Sequence, residues 1–181
     1  MADRLDLTQL RVLAVGGKSH AVGILRTVLG VLGIRAITAE ADSRRALEML
    51  RSEAFDVVFC DEHAGPVDGL AFPLAARRAP GVLNPMLPVF QVFGAPRRRE
   101  VECARDDGVT DVVTRPLSAA TVARKIRAAI AAPRPFIAAS QFFGPDRRSA
   151  VREGHEGSER RTRATRKVRL PAQPKTDTVL I

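Results

Sequence analysis

Two stretches combine residue types whose spacing suits chemistry. The first is Gly16-Gly17-Lys18-Ser19, set between the apolar run LRVLAV and a segment with helical spacing. Gly-Lys-Ser closes the phosphate-cradling loop G-x-x-x-x-G-K-[ST], in which backbone N–H groups and the lysine hold phosphates. Counting back from Gly17, Val12 stands where the first glycine belongs, so no nucleotide-hydrolysing loop is expected. The second is a repeat. Gly144-Pro145-Asp146-Arg147-Arg148-Ser149 is echoed thirteen residues on by Gly157-Ser158-Glu159-Arg160-Arg161-Thr162, a shared pattern of G-x-acid-R-R-hydroxyl. A plain basic tail needs no acid at a fixed place before each arginine pair. The combination suits guanine: arginine binds O6 and N7 bidentately, and a carboxylate accepts from the base's N–H groups. Arginine forks also bind phosphate and stack on bases, so Arg152, four residues beyond Arg148, adds a candidate phosphate contact. Two such motifs suit a ligand with two guanines.

Other reactive side chains are isolated. His20, His63 and His155 lack metal-ligand spacing. Cys60 and Cys103 are too few for a disulfide framework and fit a reducing, cytoplasmic setting. Cys60 reads as a small buried residue at a strand end, and Cys103 as a helical residue with nothing nearby to activate it.

The elements that must position these groups follow from apolar runs of strand length at 10–15, 34–39, 56–61, 87–93 and 110–114. Helical spacing fills the intervals. The first helix is expected over about 19–32, with Ile24, Val28 and Leu32 on one face. The second spans about 44–52 after a cap at Ser43, with Leu47 and Leu50 inward. The third follows Gly69 with Pro73 in its first turn. The fourth lies between Pro96 and Asp107, and the fifth runs from Ser118 to Ala131. Five strands alternating with five helices predict an α/β doubly wound parallel sheet of order 2-1-3-4-5, with functional groups beyond the carboxyl ends of the strands.

Charge divides the chain into a body over residues 8–131 and a tail over 132–181. Residues 133–181 hold 11 Lys/Arg against 5 Asp/Glu, while residues 1–132 hold 18 against 15. The tail is rich in Arg, Gly, Pro, Ser and Thr and reads as largely disordered, with Phe136–Phe143 apolar enough to dock on the body. Its excess charge calls for an anionic partner. It lacks an amphipathic helix suited to nucleic acid or a membrane, no run approaches a membrane span, and the first residues carry acids rather than the apolar core of a signal peptide.

The stretch DVVFCDEHAGPVDGL at 56–70 and the triplet Thr114-Arg115-Pro116, on this strand rhythm, resemble a CheY-like receiver domain over about residues 9–131. The resemblance implies that Asp61 holds the phospho-acceptor position, that Asp68-Gly69 is the following D-G pair, and that Arg115-Pro116 holds the family's lysine-proline position with its cis peptide. It also implies departures. The family's two metal-binding acids correspond to Gly16 and Gly17, its phosphoryl-bonding Ser/Thr to Phe93, its lysine to Arg115, and its aromatic switch to Val112. Magnesium needs oxygen ligands, commonly one or two carboxylates with waters, and phosphoryl transfer relies on neutralising charge. The resemblance therefore implies a poor acceptor, no magnesium and no enzymatic activity, with Lys18 placed to reach Asp61 in the metal's stead. Helices four and five are the family's usual partner surface, which places Arg97-Arg98-Arg99 at a docking site.

The arginine-rich tail on such a body, with its Phe-Phe-Gly-Pro-Asp-Arg-Arg run, resembles the Cle group of CheY-like proteins. That resemblance implies cyclic di-GMP as ligand, bound through Asp146, Arg147, Arg148, Arg152, Glu159, Arg160 and Arg161, and a signalling or flagellar-motor protein as partner. Two alternatives stand beside it: a conventional phosphorelay receiver phosphorylated at Asp61, and a ligand-free interaction scaffold.

Overall fold

The computed structural model describes residues 5–16, 20–139, 142–146 and 166–168. Apolar runs at strand spacing form β1 (Arg11–Val15), β2 (Ala36–Glu40), β3 (Val57–Asp61), β4 (Val89–Phe93) and β5 (Asp111–Thr114). They pair in parallel in the order β2-β1-β3-β4-β5, as the alternating pattern predicts. Alternate side chains pass to opposite faces, and this splits the core in two. Val12 and Ala14 of β1 and Val57 and Phe59 of β3 face one side, packed under α1 (His20–Val31) and α5 (Ala119–Ala131). Leu13 and Val15 of β1 and Val58 and Cys60 of β3 face the other side. There they pack with Leu47 and Leu50 of α2 (Ser43–Ser52) and Phe72 of α3 (Phe72–Arg78). Each fully buried side chain of this kind stabilises the fold by about 1.5–3 kcal/mol. A smaller cluster of Phe93, Ala104 and Val109 seats α4 (Arg98–Asp106).

Two expectations need correction. The cap of α2 is Asp42, whose Oδ1 accepts from Arg44 N at 2.7 Å and Arg45 N at 3.2 Å; Ser43 lies inside the helix and is buried. The inward line of α1 is Ala21, Leu25 and Leu29, with Ile24, Val28 and Leu32 half-buried beside it. An apolar residue at almost every position of that helix hides which stripe is innermost.

The segment after α5 adds a second, smaller sheet. Phe136–Ala139 (β6) pairs antiparallel with Phe142–Pro145 (β7) on one side and with Arg166–Val168 (β8) on the other. Phe136 and Phe143 give the hairpin an apolar face. Phe136 is buried, as the docking expectation requires, and its ring lies 5.7 Å from that of Phe143. No helix among the described residues is long and apolar enough to cross a membrane.

Candidate functional site

Asp61 ends β3 on the same face as Val57 and Phe59, so the strand's alternation carries a carboxylate into the apolar layer under α1. It is 5% exposed. Its Oδ1 accepts from His63 N at 2.9 Å, while Oδ2 is buried without a hydrogen-bond partner among the described residues. A void of about 10 Å³ beside it is lined by Ala14, Val15, Ala21, Leu25, Phe59 and Val92. That is about one probe sphere, at the lower limit for a single water.

Gly16 closes the site from β1. Its φ of +152° is a conformation L side chains rarely adopt, and a Cβ built there lies 2.6 Å from Cβ of Asp61. Its backbone N donates to Glu40 O at 3.0 Å, which ties it to the end of β2. The backbone at Gly16 thus runs against Asp61 and leaves no room for a Cβ. Gly17 and Lys18 fall outside the described residues.

Phe93 and Arg115 stand at the neighbouring strand ends. Phe93 is buried in the α4 cluster and offers no hydroxyl. Arg115 N donates to Phe93 O at 2.8 Å, and the Arg115–Pro116 peptide is cis, as the triplet implies. The Arg115 guanidinium turns to Glu62, the residue after Asp61, and donates from Nη2 to its Oε1. The same oxygen accepts from Gly94 N at 2.7 Å. Gly94 leaves room for the pair: a Cβ there would sit 3.1 Å from Nη2 of Arg115 and 3.2 Å from the Glu62 oxygen. Val112, at the switch position, is half-buried. Sequence reasoning missed Glu62, although an acid directly after the strand-end aspartate is its visible signal. Among the described residues no group of three or more His, Cys, Asp or Glu is placed to hold a metal ion.

Cys60 is fully buried, and its thiol is pushed well above its ordinary range by burial and, secondarily, by the Asp61 charge. Cys103 is exposed on α4. The arginine run before α4 is partly engaged: Arg97 N donates to Glu100 Oε2 at 2.6 Å and Arg98 Nε to Glu102 at 2.8 Å.

The opposite end of the sheet holds the hairpin. Arg77 of α3 is 3% exposed and donates to Gly108 O at 3.0 Å and to Pro85 O and Leu87 O at 2.7 Å each. Its guanidinium lies 5.1 Å from the centroid of the Phe136 ring. Burial lowers its pKa to about 9, so it stays charged at neutral pH. Gly108 and Gly144 meet backbone to backbone: a Cβ on Gly108 would lie 2.8 Å from Phe143 O, and one on Gly144 would lie 2.9 Å from Gly108 Cα.

Asp146 leaves β7 with its N donating to Pro135 O at 2.7 Å. Because β7 and β8 flank the same strand, the described residues on either side of 147–165 belong to one three-stranded sheet. Arg147, Arg148, Arg152, Glu159, Arg160 and Arg161 lie outside the described residues.

No family model matches the chain. Solved structures do. A putative response regulator from Chloroflexus aurantiacus superposes with a TM-score of 0.59 at 18% identity, over 68% of this chain and 99% of that one. The receiver domain of a sensor histidine kinase from Pseudomonas aeruginosa, with magnesium coordinated in its active-site cleft, superposes at 0.56 and 19%, over 65% and 94%. The chemotaxis response regulator CheY4 of Vibrio cholerae superposes at 0.53 and 17%, over 67% and 100%. The chain has the fold of the CheY-like receiver domains of response regulators.

Proposed function

We propose that this chain is a non-catalytic signalling protein: a receiver-like domain whose acceptor site is closed, carrying a tail that binds cyclic di-GMP and a surface that docks on a protein partner. The observation that carries the first half is the approach of Gly16 to Asp61. One buried carboxylate in an apolar lining does not supply the oxygen ligands and waters that magnesium requires. The cation that would face a phosphoryl group, Arg115, is engaged by Glu62. The second half rests on the duplicated acid-Arg-Arg pattern and on the place of its segment between β7 and β8. Tethering both motifs to one strand raises the concentration of the second at a ligand held by the first.

A second reading, phosphorylation at Asp61, is favoured by the place of that aspartate at the end of β3, ahead of Asp68-Gly69. Amide spectra taken with magnesium and beryllofluoride separate the two: the closed site leaves residues 16, 61, 93 and 94 unmoved, and shifts there refute it. Calorimetric titration with cyclic di-GMP tests the tail. Arg147→Ala or Arg148→Ala is expected to weaken binding about tenfold, as the loss of one charge-assisted contact implies. Asp146→Asn is expected to weaken it as well, whereas simple anion attraction would tighten it.

A further inference from the structure

A cavity of about 440 Å³ opens at the amino ends of β1, β3 and β4, the end of the sheet opposite Asp61. Small-molecule sites have volumes of about 300–1,000 Å³. Its apolar wall is made by Leu50 in the last turn of α2, Phe55 before β3, and Val82, Leu83 and Leu87 before β4. Leu50, Phe55 and Leu87 are buried, whereas Leu83 is 58% exposed and forms a lip. Leu83 N donates to Leu50 O at 3.0 Å, which holds that lip in place. The charged lining is Arg11, Glu53 and Asp56. Arg11 Nη2 donates to Glu53 Oε2 at 2.9 Å, and its guanidinium lies 5.4 Å from the centroid of the Phe55 ring, so this cation is matched. Asp56 Oδ2 accepts from Arg11 N at 2.7 Å, a neutral donor, and among the described residues the carboxylate has no ion pair. Asp56 also lines an adjoining void of about 60 Å³ together with Arg134, but the Arg134 guanidinium is turned to Thr110 O. Arg51, behind the wall, is held by Pro80 O at 3.0 Å and by Glu48. The charge left over in the cavity is therefore negative and sits at Asp56.

We propose that this cavity binds a small organic cation, an amine carried on a ring-sized apolar body, with the ammonium at Asp56 and the body against Phe55, Leu83 and Leu87. The inference is independent of the tail, since every residue it uses lies between Arg11 and Leu87. An occupant of the cavity displaces water from the Asp56 carboxylate. An apolar occupant would leave that carboxylate without compensation, and an anion would add a like charge, so both are disfavoured. An ammonium restores a charged partner, while the body it is carried on covers the apolar wall. Such a ligand would enter at the far end of the sheet from the acceptor site.

The test follows amide spectra of the full chain at neutral pH during titration with two ligands. Tryptamine carries an ammonium on an indole ring; indole-3-propionate keeps the ring and the linker and carries a carboxylate instead. Tryptamine is expected to shift the amides of Glu53, Phe55, Leu83 and Asn84 saturably in the millimolar range, as suits a ligand of about a dozen non-hydrogen atoms. Indole-3-propionate is expected to leave those amides unmoved. Asp56→Asn keeps an acceptor for Arg11 N and is expected to weaken tryptamine about two- to fivefold, as for a half-exposed ion pair. Glu102→Gln, exposed on α4 and away from the cavity, is expected to bind as the parent does. The two ligands compared on the parent chain decide the matter even if Asp56→Asn does not fold. No saturable shift with tryptamine through the millimolar range overturns the cavity as a site. Equal binding of indole-3-propionate at the same amides, or parent-like binding by a folded Asp56→Asn, overturns the choice of a cation. Equal weakening by Glu102→Gln reduces the effect to diffuse charge and also overturns it.

Discussion

Replacing Gly16 by alanine tests the closed site through two separable costs. The first is conformational: φ of +152° is a region where an L side chain costs about 1–2 kcal/mol. The second is steric. The new Cβ would lie 2.6 Å from Cβ of Asp61, far inside contact distance. Neither partner yields easily, since Gly16 is bonded to Glu40 O and Asp61 is buried at the end of a central strand. Overpacking of this kind costs about 1–3 kcal/mol, for a total of about 2–5 kcal/mol, a large share of a domain's typical net stability of about 5–15 kcal/mol. Gly69 supplies the control, because its φ of +80° carries the conformational cost while a Cβ there meets nothing within 4 Å. Gly30, helical and open, is expected to gain up to about 1 kcal/mol as alanine. The assay is urea unfolding followed by far-ultraviolet circular dichroism, as the chain has no Trp or Tyr. Gly16→Ala is expected to lose clearly more stability than Gly69→Ala, and Gly16→Asp at least as much. Equal losses at the two glycines would refute the steric reasoning and reopen the acceptor site to an acid.

Removing the Arg77 side chain with Arg77→Met strands buried carbonyls at Gly108, Pro85 and Leu87 and is expected to cost about 2–4 kcal/mol. Hydrogen exchange should then show β6 and β7 losing protection, and unchanged protection would remove Arg77 from hairpin docking. Gly144→Ala is expected to lift the same hairpin at a cost of about 1–3 kcal/mol, since its Cβ would meet Gly108 Cα at 2.9 Å; the same exchange experiment reads it. Asp61→Asn keeps the acceptor for His63 N and replaces a buried carboxylate whose Oδ2 has no partner among the described residues. Thermal unfolding at neutral pH is expected to show it at least as stable as the parent, by up to about 2 kcal/mol, and a clear loss would mean that the charged carboxylate is a needed partner. Alkylation of the native chain should consume one thiol, Cys103, with Cys60 reacting only on unfolding; two thiols lost from the native state would contradict the burial of Cys60.

Strand and helix order were legible because both depend on local period. The runs at 56–61 and 87–93 contain β3 and β4, whose starts lie one to two residues inside them. Phe136–Phe143 was legible as a docking segment because its apolar content had to be buried somewhere. The anchor for Phe136 was not, because Arg77 precedes it by 59 positions and reads by itself as a surface arginine. Glu62 and Arg115 stand 53 positions apart and meet only because β3 and β5 flank β4. The absence of acids at 16 and 17 was plain in the sequence. That the backbone would press on Asp61 in their place was not, since composition records a missing ligand but says nothing of what fills its space. The three residues of β8 sit in a basic run without alternation, so no period announces them.

The grip of Arg77 on the hairpin contains no carboxylate. Its acceptors among the described residues are three carbonyl oxygens, the Thr110 hydroxyl at 3.4 Å and the face of Phe136. None of these groups titrates in mild acid, and none carries a formal charge for added salt to screen. The contact of Arg77 with Phe136 is thus indifferent to ionic strength and mild acid, whereas in the proposed reading the attraction between an anionic nucleotide and the arginines of the tail weakens as salt rises. On that reading, changes in ionic conditions would alter how tightly the nucleotide is held without loosening the contact that seats Phe136.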